Sequence, residues 1–502
     1  MTAIEFDAYD YCADQSFQIA RYRLEGDERS GWRVARDGTH LLELGPGYRA
    51  LRVRQCGVCS TDLARHFLPF ELPQVIGHEV LTIDAAGRRF VVEINASHAA
   101  RGLAGESAAC PFCSRGLATH CPERVTLGID RLPGGFGPWI LAPTAACLTV
   151  PDSVDDDSAV LVEPLAAALH AVRSVAPRPG ERIAVLGPRR LGMLVLGALA
   201  AWREQRGSEQ PFSIHAVVRN PSLVGLADSM GADEVHVREA GDPIREEDRF
   251  DVVIDTTGNP AALSTAVALA RREVHLKSTH GQAADGLENL TELVVDELSV
   301  RRLQLGENGS ADPDGEARYR IPDGARVAWL AQGAVPAGLS ARCSVSTQGA
   351  EASMIEFASA AASGSRLPHA DVAVVDSLAA FAQAVRPIPG VERRLVRPRG
   401  TILLAAASTD AQQESALWQA IAARGLTLTS SRCGDFSHAL RLLAESSVMR
   451  GVGRRFITHR FDAEQLPTAF RAASQSDCVK AVVRHAVEEP GPTANSRPSC
   501  NS

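Results

Sequence analysis

The sequence predicts a two-part α/β protein, a β-rich, barrel-like lobe followed by a doubly wound parallel sheet. Three observations carry that reading. Residues 40–150 run as short apolar segments cut by Gly/Pro turns, in "HLLELGPGYRALRVRQ", "RRFVVEIN" and "FGPWILAPTAACLTVP", the pattern of strands with tight connections. Near Pro151 the spacing becomes helical in "DSVDDDSAVLVEPLAAALHAVRSV", which opens on acidic, capping residues. Strand and helix then alternate through "ERIAVLGPRRLGMLVLGALAAWREQ", "SIHAVVRNPSLVGLADSMGADEVHV" and "FDVVIDTTGNPAALSTAVALA", the beat of parallel strands joined by crossover helices.

At 502 residues the chain exceeds the roughly 100–200 residues of one domain, so two or three domains are expected. A net charge of −8 without a Lys/Arg-dense stripe argues against a nucleic-acid or acidic-membrane partner. The start, "MTAIEFDAYDYCADQ", is acidic and lacks the apolar core of a secretory signal. The longest apolar run, "LGMLVLGALAAW" at 191–202, is too short to cross a bilayer. A soluble, cytoplasmic protein follows, in which eleven cysteines read as metal ligands or buried thiols rather than disulfides.

The rhythm breaks after Val300. "GENGSADPDGEARYRIPDGA" reads as a surface loop, and 301–424 carry no chemical motif. Two echoes stand out. "LVRPRGTILLAAAST" (395–409) resembles "LARREVHLKSTHG" (269–281), and "VVDELSVRRLQL" and "IAARGLTLTSSRCG" both read as approaches to a late strand. A partial duplication or an inserted module is expected. Residues 489–502 read as a disordered polar tail.

The chemistry concentrates in "QCGVCSTDLARH" (55–66), in "VIGHEV" shortly after it, and in "VEPLAAALHAV". Zinc accepts thiolate, imidazole and carboxylate, and a catalytic zinc keeps one position open. Cys59, His78, Glu79 and Glu163 supply those ligand types. Taken singly, a cysteine reads as a small buried hydrophobe and a Glu before Pro as a helix-start residue. Together, ahead of a strand, a Gly turn and a helix, they point to a metal site. That turn, "VLGPRRLG", puts Gly187 and Gly192 at the first and third places of the Gly-x-Gly-x-x-Gly pattern of a Rossmann fold, with Arg189 at the second. Arg189 crowds the diphosphate path and equally offers a guanidinium to bond it. The next strand ends on Val218-Arg219-Asn220 without an acid. Arg219 suits a 2′-phosphate, a lean toward NADP over NAD, or is a solvated strand-end arginine.

In their order, "CGVCSTD", "GHE", "EP" and "VLGPRRLG" resemble the medium-chain zinc-dependent alcohol dehydrogenases. The likeness continues in "VVEINASHA", "ERVTLGI", "LKSTHG", "VVDEL" and "SRCGDFSHALRLLA", and covers roughly 35–300 and 425–485. It implies a GroES-like catalytic domain over 1–150 completed by 460–488, a Rossmann domain over 151–300 completed by 425–460, and an insertion over 301–424. It implies that Cys59, rather than the packed thiol Cys56, ligates a catalytic zinc with His78, and that Glu79 or Glu163 completes the set. Thr61 would take the substrate alcohol's proton and pass it toward solvent, its bland alternative being a turn hydroxyl. Asp62 is structural or bonded behind a ligand. Ala64 stands where many relatives carry a histidine, leaving His66 as the nearest substitute. Zinc would stabilise the alkoxide while hydride passes to the nicotinamide of NAD(P). Thr257 and Gly258 in "DTTGNP" would lie near the nicotinamide ribose, with Lys277 and Ser278 at the nicotinamide end of the cleft. The family's four-cysteine structural-zinc lobe is matched by Cys110, Cys113 and Cys121 in "SAACPFCSRGLATHC", but Ser107 holds the first place. His120 is the substitute at hand, and a second zinc stays open.

The resulting expectation is a zinc-dependent NAD(P)-linked oxidoreductase acting on a secondary alcohol or polyol and its carbonyl. Its partners would be that small molecule, with no nucleic acid and no membrane, and relatives suggest a homo-oligomer through the Rossmann sheet edge. Two alternatives stand beside it. Arg189 and Ser107 would suit a catalytically reduced binding or assembly subunit, and 301–424 could shape the pocket of a biosynthetic reductase that tailors a larger metabolite.

Overall fold

Period-two alternation builds the first layer. In "FQIARYRLEGD" the residues Ala20, Tyr22 and Leu24 are buried while Arg21, Arg23 and Glu25 face water, so one strand face feeds a core and the other stays solvated. Four such strands, β1 (Thr2–Tyr11), β2 (Phe17–Asp27), β3 (Gly31–Arg36) and β4 (Thr39–Leu44), form an antiparallel meander. This is a computed structural model describing residues 2–207, 211–239, 241–277, 283–304, 319–361, 367, 369–388, 394–405 and 415–486. Ser278, the tail 489–502 and most of "GENGSADPDGEARYRIPDGA" lie outside the described residues.

The barrel-like lobe follows as β5 (Tyr48–Gly57), β6 (Glu79–Ile83), β7 (Arg89–Val92), β8 (Asn95–Ala96), β9 (Val125–Leu127), β10 (Arg131–Leu132), β11 (Trp139–Pro143) and β12 (Cys147–Thr149). Strands β8, β9 and β10 make a small separate sheet. The other five, joined by two strands from late in the chain, form the seven-stranded barrel sheet, and the meander packs against it through Tyr22, Trp32 and Val34, with the Trp32 indole N–H bonded to the Tyr48 carbonyl at 2.8 Å.

The helix Val162–Val175 crosses to the second sheet, made of β13 (Arg182–Leu186), β14 (Ser213–Val218), β15 (Glu234–Val237), β16 (Phe250–Asp255), β17 (Ala270–Leu276), β18 (Ser299–Arg302), β19 (Arg326–Trp329), β20 (Ser344–Ser346), β21 (Ala370–Val375), β22 (Val396–Leu404) and β23 (Thr427–Ser430). Their order is β15-β14-β13-β16-β17-β23-β18-β22-β21-β19-β20, eleven strands in one sheet. The expected boundary at Val300 falls within this sheet. Val300 lies inside β18, which pairs with β22, while β23 takes the place beside β17. The chain then returns to the barrel as β24 (His459–Asp462) and β25 (Ala481–Arg484), with β25 antiparallel to β5.

Helices cover both faces of the long sheet. One core joins Leu196, Leu199 and Ile214 to the helix Phe436–Glu445; the other runs from Val253 and Leu276 through Leu428 and Val300 to Leu404 and Trp418. Among the described residues no helix is long and apolar enough to cross a membrane.

Candidate active site and metal centres

Strand register assembles the first cluster. Gly57 of β5 pairs with Glu79 of β6, so Cys59, two residues past one strand end, lands beside His78, one residue before the other. The donor atoms of Cys59, His78 and Glu79 all lie within 4.8 Å of one another. Cys59 caps the short helix Ser60–Leu63, and Asp62 in that helix serves both ligands. One carboxylate oxygen accepts from the Cys59 N–H at 2.8 Å; the other stands 3.3 Å from His78 Nδ1. A proton held on Nδ1 leaves Nε2 as the ligating lone pair.

The two candidate carboxylates differ in surroundings. Glu79 is ion-paired with the buried Lys480, whose ammonium also donates to the Val58 carbonyl at 3.1 Å. Gly57 makes room for that pair, since a Cβ there would overlap the Glu79 carboxylate. Glu163, on the first turn of the helix Val162–Val175, feels His78, Glu79 and Lys480, and burial pushes its carboxyl up to about 7. Thr61 is half-buried one residue past Ser60. Cys56 is fully buried, and burial raises its thiol well above the ordinary range. Sequence reasoning missed Lys480. Its signal was a lone lysine in the otherwise apolar "CVKAVV".

The second cluster corrects the reading of the cysteine lobe. Its fourth member is His98, and His120 does not belong to it. Strand β8 pairs with β9, which carries His98 toward Cys121 just upstream of Val125. His98 Nδ1 lies 3.4 Å from Cys121 Sγ and 3.6 Å from Cys113 Sγ, and Cys110 Sγ is 3.9 Å from Cys121 Sγ. A zinc with three sulfurs and one nitrogen at ordinary bond lengths has tetrahedral edges of about 3.5–3.8 Å. The donors fit. His120 instead faces Glu297 at 3.6 Å, and burial pushes its ring down to about 3.

At the nucleotide-type turn, Gly187 has φ +65°, and a Cβ at Gly187 or Gly192 would strike Thr257 or Thr256. The two glycines thus let the turn after β13 lie flat on the turn after β16. There Thr257 donates through its N–H and its hydroxyl to Asp255, at 2.9 and 2.7 Å, and Gly258 has φ +63°. Arg189 turns toward the barrel lobe. It donates to the carbonyls of Gln475 and Cys478, which leaves its guanidinium tied to the barrel lobe. Its neighbour Arg190, passed over in the sequence, crosses to the Ser60 hydroxyl at 3.1 Å and to the Ala473 carbonyl. Arg219 is exposed at the end of β14.

The alcohol dehydrogenase GroES-like domain family matches residues 45–152. L-galactonate-5-dehydrogenase of Escherichia coli (strain K12) is 29% identical over 238 residues, covering 45% of this chain and 67% of that protein. Sorbitol dehydrogenase of Bacillus subtilis (strain 168) is 28% identical over 238 residues, 44% of this chain and 65% of that one. These matches support the medium-chain zinc-dependent alcohol dehydrogenase family for this chain. It spans about two thirds of the length of these curated relatives, and more than half of its own residues lie outside the alignments. A solved zinc-binding dehydrogenase from Sinorhizobium meliloti, bound to NADP, shares the fold with a TM-score of 0.53 at 17% identity, over 96% of this chain and 100% of that one.

The helix that carries Glu163 also meets a buried charge cluster that sequence reasoning did not find, because its members are far apart in the chain. Glu297 sits at φ +53° just before β18. Its carboxylate accepts from Arg399 Nε at 2.8 Å and the Arg432 N–H at 3.0 Å, and stands 3.3 Å from His170 Nδ1. Burial alone would raise its pKa, yet these partners hold it at about 2. Burial also keeps His170 below its ordinary value, so Arg399 supplies the charge at neutral pH. Lys277 lies alongside, donating to the Ser431 carbonyl and hydroxyl, both at 3.2 Å, and burial lowers it to about 8. A depressed carboxyl stabilises the fold fully above its unfolded pKa, and that contribution is lost as pH falls toward the folded value. Glu297→Gln should therefore cost at most about 3 kcal/mol at pH 7. In urea titrations the gap to the parent should narrow by about 1 kcal/mol between pH 7 and pH 4. A gap independent of pH would contradict the assignment.

Proposed function

We propose that this chain is a zinc- and NAD(P)-dependent oxidoreductase that interconverts a secondary alcohol or polyol and its carbonyl. The observation that carries the reading is the convergence of Cys59, His78 and Glu79 within 4.8 Å, next to Ser60, to which the Gly187–Gly192 turn is bonded through Arg190. The donor set suits zinc by type, one thiolate, one imidazole and carboxylate. In this reading Cys59, His78 and Glu163 hold the ion, and Glu79, neutralised by Lys480, is the exchangeable fourth donor. Bound there, zinc supplies Lewis acidity toward the substrate oxygen.

The protein's own residues do the rest. Asp62 fixes the Cys59 backbone and the His78 ring, so both donors keep their aim without reorganisation. Thr61, on the helix capped by Cys59, takes the proton of the substrate hydroxyl and passes it outward. Arg190 ties the nucleotide turn to Ser60, the residue between Cys59 and Thr61, which keeps the cofactor wall in register with the metal wall. Gly187, Gly192, Thr257 and Gly258 line the dinucleotide path. Exposed Arg219 at the end of β14 favours a 2′-phosphate, hence NADP over NAD. The names of the relatives, L-galactonate-5- and sorbitol dehydrogenase, favour a polyhydroxylated substrate. A second zinc, held by His98, Cys110, Cys113 and Cys121, would brace the lobe.

Thr61→Ala should lower kcat about 100-fold or more with zinc content unchanged, while Thr61→Ser retains most activity. Equal rates for the alanine variant and the parent would remove Thr61 from the chemistry. Metal analysis by mass spectrometry should find two zinc ions per parent chain and one in His98→Ala, whose thermal midpoint drops. If His98→Ala keeps both ions, the four-donor assignment fails.

A further inference from the structure

We propose that the segment from β18 to β22, residues 299–404, is a second, strand-exchanged half of the same sheet that takes the place of a partner subunit. The chain then works as a monomer closed along its own sheet edge. Strand direction is the first observation. Strands β15, β14, β13, β16, β17 and β23 run parallel to one another, and so do β18, β22, β21, β19 and β20. Among the described residues the two sets meet only at β18 and β23, antiparallel, with Val300 opposite Leu428. Two copies joined edge to edge by a two-fold axis meet in the same way. Here the junction is made within one chain.

Connectivity is the second observation. In the first half β13 has β14 on one side and β16 then β17 on the other; in the second, β19 has β20 on one side and β21 then β22 on the other. Each half then gives away its last strand. β17 leads through the helix Leu290–Val295 to β18, which lies beside β22, and β22 leads through the helix Ala416–Arg424 to β23, which lies beside β17. The sequence echoes fall on these equivalent strands, "LARREVHLKSTHG" on β17 with "LVRPRGTILLAAAST" on β22, and "VVDELSVRRLQL" on β18 with "IAARGLTLTSSRCG" on β23.

Packing makes the exchange permanent. An open strand edge is a template for another chain, and β18 occupies that edge of β23. Leu276, Leu428, Val300 and Leu404 share one core beneath the junction with Trp418. The free ends of the sheet are β15 and β20, four and three residues long, short edges of the kind that discourage further pairing. The second half does not repeat the nucleotide site. β19 is followed by a four-residue helix, Ala337–Ser340, where β13 is followed by the sixteen-residue helix Leu191–Arg206. Its retained role is to close the edge and, through Arg399 on Glu297, to buttress the cleft.

Sedimentation equilibrium of the full chain at micromolar concentration tests this without altering the protein. The expected mass is that of one 53.4 kDa chain; a stable dimer overturns the proposal. A double variant, Val300→Cys with Leu428→Cys, reads the exchange itself. Peptide mapping should find the new disulfide within one chain, migrating as a monomer on a non-reducing gel. A disulfide between chains, or none in a folded variant, overturns the proposal as well.

Discussion

The site depends on the register of three antiparallel strands. β6, β5 and β25 lie side by side, with Gly57 opposite both Glu79 and Val482. That single alignment brings Cys59, His78, Glu79 and Lys480 to one corner of the barrel, although Lys480 is separated from Glu79 by most of the chain. A slip of one residue would turn every side chain on the slipped strand to the opposite face and scatter the donors. Gly57 is required at the crossing because any side chain there would occupy the space of the Glu79–Lys480 pair. The "CGVC" spelling is therefore as much about packing as about ligation.

The charged groups follow the same logic. Glu79 and Glu297 are both buried and both paired, one by Lys480 and the other by Arg399, while Glu163 has no such direct partner among the described residues and is pushed up by burial. A carboxylate of that kind gains most from a cation placed beside it. Glu297 receives one partner from the helix Val162–Val175, one from the strand β22 and one from the residues after β23. Helix, sheet and exchanged half thus meet behind the cleft.

Much of this was legible in the sequence. Apolar spacing and Gly/Pro turns revealed the strand-rich lobe, and the strand–turn–helix beat revealed the parallel sheet. Cys59, His78 and Glu79 could be picked out because their motifs are short and local. The failures share one cause, distance along the chain. His98 enters the cysteine lobe through β8–β9 pairing, which nothing in "SAACPFCSRGLATHC" encodes, so only the neighbouring His120 came into view as a substitute. Arg189 matched a nucleotide motif by position, but its side chain met the carbonyls of Gln475 and Cys478. The β1–β3 meander was visible as alternation in "IARYRLEGD" and was passed over for the motifs beyond it. In 301–424 the sequence offered two echoes, yet strand exchange cannot be read from similarity alone, since it changes which strands pair and leaves the strands unchanged.

The most direct measurement is an anomalous difference map collected at the zinc edge from crystals of the full chain. The account requires a strong peak between Cys59 Sγ and His78, within bonding distance of both and of a Glu163 or Glu79 oxygen. A metal-replete protein with no peak at that corner would contradict it.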